Sequence, residues 1–452
     1  MSNHKKFLDQ LKSYDVARLI PTLPESKREE RATSILLATF RVVPTFALDM
    51  LKEAGAPTGK RVKIHCLTEV VPKGQDGAKL RPDGVVIVDT GRSIWSAIIE
   101  SKVGLNNLDY GQIESYVGLA RNLQCDAVIT ISNQFSTIPT HHPVSIPKNK
   151  LGKIGLYHFS WLSLVSRAVH LAGNKQVDDP EQSFILDELI RYLQSAKSGV
   201  SLMTQVGPGW KSTSGQILQG VRMLKSSDEV EQAVTSWEQL TRYLALQLSL
   251  VLAKPVSIHL TRLQAKDPES RIKSHIDELV GPHSLTDYFE IPNAAGNLKV
   301  TADFSRRALD FSMMVASPKN RTYASACINW LLRQIMSDDS ELLIRANWPG
   351  RAPATMAQVL KLREDPNLIV PHGSKALPTN LEVVRVVDLA GRFQQKRKFV
   401  EIAELEIIRF YDEVCQHLKN WVPPAPKVKK ILSTDTDDEL TREEIRIPSV
   451  ED

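Results

Sequence analysis

Residues 81–102 read RPDGVVIVDTGRSIWSAIIESK and are the most informative stretch of the chain. Two runs rich in apolar and β-branched residues flank the dipeptide Gly91-Arg92, which predicts two antiparallel strands joined by a two-residue turn. Glycine at the first central position favours a type II′ turn, because that position needs a positive φ. In the register that this turn sets, Asp83 lies opposite Glu100.

The end of this predicted hairpin places three charged side chains together. Opposed residues of antiparallel strands share a face, with Cβ atoms about 4.5–5.5 Å apart, and strand alternation adds Lys102 to Asp83 and Glu100. Both faces of the hairpin are otherwise largely apolar, which predicts a central strand pair covered by helices on each side. The alternative is a surface hairpin whose end carries only a Glu–Lys pair.

Two buried carboxylates at this spacing repel each other, and burial disfavours their ionised forms. A hard divalent cation relieves the conflict, because Mg²⁺ prefers one or two carboxylates together with waters and phosphate oxygens. We therefore predict a Mg²⁺ or Mn²⁺ site at Asp83 and Glu100, with Lys102 beside it to orient water or stabilise a charged phosphate.

Pro82-Asp83, followed after sixteen residues by Glu100-Ser101-Lys102, resembles the signature of the PD-(D/E)xK nuclease superfamily. Gln112 and Tyr116, four residues apart on a predicted helix, resemble the Gln-x-x-x-Tyr motif of its RecB-type branch. Residues 29–205 are also similar to poorly characterised bacterial members. The resemblance implies an αβββαβ core, which is a mixed central sheet flanked by helices, and it implies a DNA-cleaving enzyme. It assigns catalytic roles to Asp83, Glu100, Lys102, Gln112 and Tyr116.

The superfamily often adds a helical glutamate as a further metal ligand, and two residues compete for that role. Glu29 lies on the apolar face of a predicted helix that runs toward Phe40. However, Ser26-x-x-Glu29 also reads as a capping box, in which Glu29 only satisfies backbone donors. Glu30 is then the alternative ligand, and the sequence leaves both open. Glu69, in a strand-like run, is a weaker candidate.

A basic loop broken by prolines carries Lys148, Lys150 and Lys153. These side chains could contact nucleic-acid phosphates, a type of contact that is strongly salt-dependent. The alternative is an ordinary solvated surface. The neighbouring His141-His142 pair lacks a third ligand at a useful spacing, so we do not expect it to bind metal.

The bulk composition sets outer limits on the function. A net charge of +5 permits a polyanionic partner without requiring one. The N-terminus is polar and no apolar run approaches the roughly 20 residues of a membrane span, so we expect a cytoplasmic protein. The four cysteines are far apart, which favours buried free thiols over a zinc site or disulfides.

The chain divides by pattern into three parts. Residues 1–205 carry the nuclease-like motifs, and residues 211–423 read as an α+β accessory domain. Within the latter we predict five strands and a closing helix with a buried stripe, formed by Ile402, Leu405, Ile408, Cys415 and Leu418. Residues 424–452 are rich in acids and are predicted to be disordered.

The leading hypothesis is a Mg²⁺- or Mn²⁺-dependent deoxyribonuclease, and the resemblance suggests roles in phage defence, stress response or DNA repair. Residues 211–423 would supply specificity, a homodimer contact or a protein partner. The competing hypothesis is a non-catalytic module that uses the nuclease fold to bind nucleic acid or protein. A third is a regulatory or assembly protein governed by its C-terminal half.

Overall fold

The computed structural model describes residues 3–59, 61–73, 80–104, 106–200 and 203–422. The tail predicted to be disordered, residues 424–452, lies outside the described residues. Over the described ranges the chain is mixed α/β. It forms a six-stranded mixed sheet before residue 206 and a seven-stranded antiparallel sheet after it.

The first half forms the mixed sheet and the helices that cover it. Its strands are β1 (Leu11–Val16), β2 (Lys63–Pro72), β3 (Gly84–Asp89), β4 (Ile94–Ser101), β5 (Ala127–Ser132) and β6 (Gly155–Ser160). Its helices are α1 (Asn3–Leu8), α2 (Arg28–Val42), α3 (Pro44–Leu51), α4 (Tyr110–Asn122), α5 (Lys148–Leu151), α6 (Trp161–Gly173) and α7 (Pro180–Gln194).

The six strands follow chain order across the sheet. Strands β1 to β4 are antiparallel, whereas β4, β5 and β6 run parallel to one another. A parallel neighbour needs a crossover connection, and α4 provides it between β4 and β5. Because of that crossover, the carboxyl end of β4 and the first turn of α4 lie close to each other, and the candidate site is built there.

The predicted hairpin is confirmed in its register. Strands β3 and β4 pair from Gly84 opposite Ile99 to Asp89 opposite Ile94. The turn residue Gly91 has φ +82°, the positive value that the two-residue turn requires. Gly84 itself leaves no room for a side chain, because a Cβ there would collide with Leu37 of α2. Helix α2 therefore packs directly on the start of β3.

Helices cover both faces of the hairpin, as predicted. On one face, Val86 and Ile99 join a buried cluster with residues of α2, α3, α6 and α7. On the other face, Val85 and Ile98 pack with residues of α1 and α4, among them Tyr116. Each large side chain buried in this way contributes about 1.5–3 kcal/mol relative to an exposed one. The site at the hairpin end is thus held on a well-packed support.

The second half forms the antiparallel sheet. Its strands are β7 (Ser257–Ile258), β8 (Ser284–Glu290), β9 (Leu298–Asp303), β10 (Ala308–Ala316), β11 (Leu342–Asn347), β12 (Thr355–Gln358) and β13 (Asn380–Asp388). Its helices are α8 (Pro208–Leu218), α9 (Asp228–Leu252), α10 (Arg262–Lys266), α11 (Pro268–Val280), α12 (Ala324–Leu332), α13 (Val359–Glu364) and α14 (Lys396–Glu413).

The strand order of this sheet is β12-β11-β13-β10-β9-β8-β7. The five predicted strands are present, but the sequence analysis missed β8 and β12. One face of the sheet is apolar and packs with the long helix α9 and with α14. Trp210 and Trp237, both fully buried, lie within that core and stack with ring centroids 6.3 Å apart.

The predicted buried stripe of the closing helix is only partly confirmed. Cys415 and Leu418 are buried, but they follow the end of α14. Leu405 is 63% exposed, and Ile402 and Ile408 are only partly buried. The face that packs inward contains Phe399, Val400, Ala403, Ile407 and Phe410. Within α14 the predicted stripe therefore differs from the face that is buried. Aliphatic and β-branched residues also lie on the solvent side of this helix, so spacing alone did not identify the buried face.

The two halves pack against each other along α6 and α9. Leu162 of α6 belongs to the core cluster of the second half. Arg271 of α11 donates from Nη1 to the Thr137 hydroxyl at 2.6 Å, and the Phe135 and Tyr243 rings lie 5.7 Å apart. The domain boundaries proposed from the sequence remain predictions. The four cysteines are buried and free, as expected.

Membrane crossing was tested on the described helices. No single one of them is long and apolar enough to span a bilayer. The two successive helical segments Arg28–Val42 and Pro44–Ala54 meet the length and composition criteria only when joined, and they are bent by 109°.

Candidate active site

The site begins at the open end of the β3–β4 hairpin. Asp83 directly precedes β3, and its Oδ2 accepts hydrogen bonds from the Ser101 amide at 2.7 Å and from the Ser101 hydroxyl at 3.1 Å. These bonds fix the carboxylate against the end of β4, where Glu100 and Lys102 flank Ser101. The alternation of β4 was the only sequence signal for Ser101, which the analysis had treated as a spacer.

Glu100 is the most deeply buried acid of the site, with only 1% of its surface exposed. Its Oε1 accepts from Lys102 Nζ at 2.6 Å and from Gln112 Nε2 at 2.8 Å. Its Oε2 is also buried, yet it has no hydrogen-bond partner among the described residues. A buried carboxylate oxygen without a partner is costly, so this atom is available to a cation or a hydrogen-bond donor.

Lys102 joins two acids from different elements. Its Nζ lies 2.6 Å from Glu100 Oε1 and 3.4 Å from Glu29 Oε2. Its backbone is fixed as well, since the amide donates to Ile131 and the carbonyl accepts from Trp161 Nε1 at 2.9 Å. Burial alone would lower the pKa of Lys102, but the hydrogen bond and charge of Glu100 raise it above its usual value.

Helix α2 brings Glu29, not Glu30, to this cluster. Glu29 contacts Lys102 and accepts from Asn106 Nδ2 at 2.5 Å. Glu30 instead forms an ion pair with Lys27 at 3.2 Å. The alternative capping box is not formed, because α2 begins at Arg28 and the residue at its N-cap, Lys27, makes no side-chain cap. The capping interpretation of Glu29 is therefore wrong.

The tie between α2 and the sheet is a hydroxyl pair that the sequence analysis missed. The Thr33 and Ser101 hydroxyls lie 2.5 Å apart and both are buried. Because Ser101 also holds Asp83, one short network sets the position of α2 against the hairpin end. Glu69, the weaker candidate, lies outside that network and forms an ion pair with Arg81.

Helix α4 contributes the predicted Gln112 and Tyr116. The helix begins after Asp109, whose side chain accepts from the Gln112 amide at 2.8 Å and caps the first turn. Gln112 Nε2 lies 3.4 Å from the Tyr116 hydroxyl, and that hydroxyl donates to the Arg81 carbonyl at 3.2 Å. Tyr116 thus fixes the segment before Asp83, while Gln112 orients Glu100.

The electrostatics of the site favour a bound cation. Burial and then the charge of Glu100 raise the pKa of Asp83 to about 7. Burial also raises the pKa of Glu100, although Lys102 opposes the rise. Three carboxylates, counting Glu29, surround a single lysine amine, so full ionisation leaves an excess of negative charge that a divalent cation would neutralise.

These residues fit Mg²⁺ through few protein ligands. In the described part of the chain, no group of three or more His, Cys, Asp or Glu side chains is arranged to hold a metal ion. Mg²⁺ does not need such a group, because it usually binds one or two carboxylates and completes its shell with water and phosphate oxygens. Asp83 and the unpartnered Oε2 of Glu100 meet that requirement. Glu29 contacts Lys102 and can orient that lysine beside them.

The predicted basic residues lie next to α4 on the outer side of the site. Lys148 and Lys150 belong to the short helix α5 and are exposed, as is Lys153. Lys150 is paired with Glu114 of α4 at 2.7 Å, which offsets part of its charge. The loop is therefore close to the helix that carries Gln112, and Lys148 and Lys153 remain its least neutralised cations.

His142, the second residue of the His141-His142 pair, belongs to a polar network with His158. His142 Nε2 lies 2.8 Å from the Thr130 hydroxyl, which also lies 2.8 Å from His158 Nδ1. Burial lowers the pKa of His142 to about 4, so its ring is neutral at pH 7. His142 therefore serves this polar network on β5 and β6.

Comparisons with protein-family models, with curated proteins and with solved structures find no match to this chain. The sequence analysis did not identify Ser101, Thr33, Asp109 or Trp161, which hold the charged residues in place.

Proposed function

We propose that this protein is a Mg²⁺-dependent phosphodiester hydrolase that acts on DNA, with Asp83, Glu100 and Lys102 at its catalytic centre. One observation carries the proposal. The Oε2 atom of Glu100 is buried and unpartnered among the described residues, while Lys102 contacts the other oxygen of the same carboxylate and Asp83 is fixed against the neighbouring Ser101. A divalent cation satisfies that oxygen and relieves the repulsion between the two carboxyls.

The order of elements around the site supports the resemblance to the PD-(D/E)xK superfamily. Helix α2 precedes three antiparallel strands, β2, β3 and β4, and is followed by the crossover helix α4 and the parallel strand β5. This is the αβββαβ order that the motif implies, with α3 as an addition after α2. Asp83 directly before β3 and Glu100 and Lys102 at the end of β4 are consistent with the positions that the resemblance implies for its catalytic residues.

When bound, Mg²⁺ supplies Lewis acidity toward the phosphodiester and lowers the pKa of water. Asp83 and Glu100 would hold the ion. Lys102, which is protonated because of Glu100, stabilises negative charge on the phosphoryl oxygens or holds the attacking water. Gln112 keeps Glu100 oriented through Oε1, so that Oε2 stays available. Glu29 orients Lys102 from the other side.

A second candidate is a non-catalytic module that binds nucleic acid or protein through this fold. The observation in its favour is that Lys102 and Gln112 together already satisfy Glu100 Oε1. A cluster whose charges are already paired can have a purely structural role and no catalytic one. Asp83 and the unpartnered Oε2 of Glu100 weigh against this candidate. In a protein that binds no cation there, a buried carboxylate oxygen without a partner only costs stability.

A cleavage assay tests the proposal. Purified full-length protein is incubated with supercoiled, linear and single-stranded DNA and with RNA, in Mg²⁺ or in EDTA. We expect DNA cleavage in Mg²⁺ alone, reduced about 10²–10³-fold by Lys102→Met. Lys12→Met, at an exposed strand position, removes the same charge away from the site and should cleave like wild type. Equal rates for wild type and Lys102→Met would reject the catalytic proposal.

A further inference from the structure

A cavity of about 330 Å³ lies where the two halves of the chain meet. Helix α6 of the first half contributes Ser163, Ser166 and Arg167 to its wall, at spacings that share one helix face. Helix α9 of the second half contributes Arg242 and Ser249 to the opposite side. None of the proposed metal ligands lines this cavity, so it is a separate site.

Arg242 brings a charge to this cavity that the nearby charge of Glu53 offsets only in part. Its Nε atom is buried without a hydrogen-bond partner, and the guanidinium forms no ion pair with any acid in the described ranges. Burial and then the charge of Arg167 lower the pKa of Arg242 to about 10, so the group still carries its proton at pH 7. A buried, uncompensated cation destabilises a fold unless an anion accompanies it.

The acids at the cavity are already engaged by other cations. Asp49 accepts from Arg167 at 3.2 Å and also pairs with Lys52, and Glu53 accepts from Arg167 at 2.6 Å. Two carboxylates thus face three cations, counting Arg242. The cavity therefore has a net positive charge.

Ser166 and His170 add polar side chains to the wall of the cavity. The Ser166 side chain is buried and lines the cavity. His170 Nδ1 lies 3.1 Å from the Ala253 carbonyl and 3.0 Å from Asn174 Nδ2, so this ring nitrogen is already engaged by neighbouring groups. A guanidinium fork with a nearby hydroxyl is a combination that recognises tetrahedral oxyanions, because an arginine can give two parallel hydrogen bonds to one such group.

We propose that this cavity binds a small ligand bearing a phosphate group, with the guanidinium of Arg242 as its main partner. The volume corresponds to about ten water molecules, which suits a phosphate with a small organic group and excludes a segment of duplex. Arg242 and Ser249 come from one half and Ser166 from the other. The bound ligand therefore contacts both halves and stabilises their packing.

The test uses full-length protein and two probes, inorganic phosphate and AMP. Thermal unfolding is compared in phosphate and in chloride at equal ionic strength, and affinity is measured by calorimetry. We expect phosphate or AMP to raise the Tm by about 2 °C or more at saturation. Tighter binding of AMP than of phosphate indicates an organic phosphate, and equal binding indicates inorganic phosphate. Both outcomes support the proposal.

Substitutions of Arg242 and of a control arginine test whether Arg242 is the group that binds phosphate. Arg242→Met should unfold at or above the wild-type Tm in anion-free buffer, because it removes the unpaired charge, and it should lose the phosphate response. Arg222→Met, at an exposed position, removes an equal charge and should respond like wild type. If Arg242→Met does not fold, Arg242→Lys should bind about tenfold more weakly, since lysine lacks the fork.

Three results would overturn the proposal. The first is a phosphate response no larger than that of chloride. The second is wild-type affinity in Arg242→Met, or in Arg242→Lys where that variant is the one that folds. The third is stabilisation by duplex DNA with none from phosphate or AMP. None of these outcomes depends on cleavage by the Lys102 centre, so the two proposals fail independently.

Discussion

The Nζ atom of Lys102 lies 2.6 Å from Oε1 of Glu100, two residues earlier on the same strand. Residues two apart on a strand share a face, so the sequence spacing alone brings them together. The contact occupies one carboxylate oxygen and leaves the other buried without a partner among the described residues. The lysine therefore positions the acid and at the same time leaves one of its oxygens open to a cation.

Asp83 should make the stability of the metal-free protein fall as pH rises. Burial and then Glu100 raise the pKa of Asp83 to about 7 from the usual 3.8. The folded state therefore holds a proton that the unfolded state releases, and this stabilisation is complete below pH 3.8 and lost by about pH 7.

The measurement compares wild type with Asp83→Asn in EDTA. Between pH 5 and pH 8, wild type should lose on the order of 2 kcal/mol more stability than the variant, or a few degrees in Tm. Adding Mn²⁺ at pH 8 should recover the loss in wild type only. Parallel pH profiles for the two proteins would show that Asp83 does not titrate in this range.

Gln112 should affect metal affinity more than fold stability. It donates to Glu100 Oε1 at 2.8 Å and orients the carboxylate without contacting the cation in our proposal. Removal of such an orienting partner typically weakens metal binding by about 10–100-fold. We expect that loss in Gln112→Ala by calorimetry with Mn²⁺, with little change in Tm. Ser115→Ala, at an exposed position on the same helix, is the control. Wild-type Mn²⁺ affinity in Gln112→Ala would show that Gln112 does not orient Glu100 for metal binding.

The basic loop should contribute unequally to DNA binding. Lys148 and Lys153 are exposed, whereas Lys150 is already paired with Glu114. Each lysine that contacts a phosphate should reduce the slope of log Kd against log salt by about 1 when removed. We expect that change in Lys148→Ala and Lys153→Ala, and a smaller one in Lys150→Ala. A salt titration of DNA binding measures it, and slopes unchanged in all three variants would place DNA elsewhere.

How far the sequence could predict this site depended on how local each contact is. The hairpin register followed from one turn and from strand alternation, so Asp83, Glu100 and Lys102 were found together. The choice between Glu29 and Glu30 needed the angle at which α2 meets the sheet, and the Thr33–Ser101 pair that ties α2 to β4 is a long-range contact. Sequence patterning carries no signal for such a pair.

The second half shows the same limit in two elements. Strand β8 was missed because a buried acid, Asp287, breaks its apolar alternation, and that acid is neutralised by Arg271 at 2.9 Å from another element. In α14 the aliphatic residues exceed what the core can cover, and Leu405 remains exposed. Periodicity indicates a helix there, but the packing partner decides which face is buried.

Calorimetric titration of Mn²⁺ tests most directly whether Asp83 and Glu100 form one metal site. Wild-type protein should bind one ion per chain, Asp83→Asn and Glu100→Gln should each abolish that binding, and Glu30→Gln should bind like wild type, since Glu30 pairs with Lys27. Unfolding curves establish that the variants are folded. Wild-type protein that takes up no Mn²⁺, or binding that survives in both Asp83→Asn and Glu100→Gln, would contradict the account.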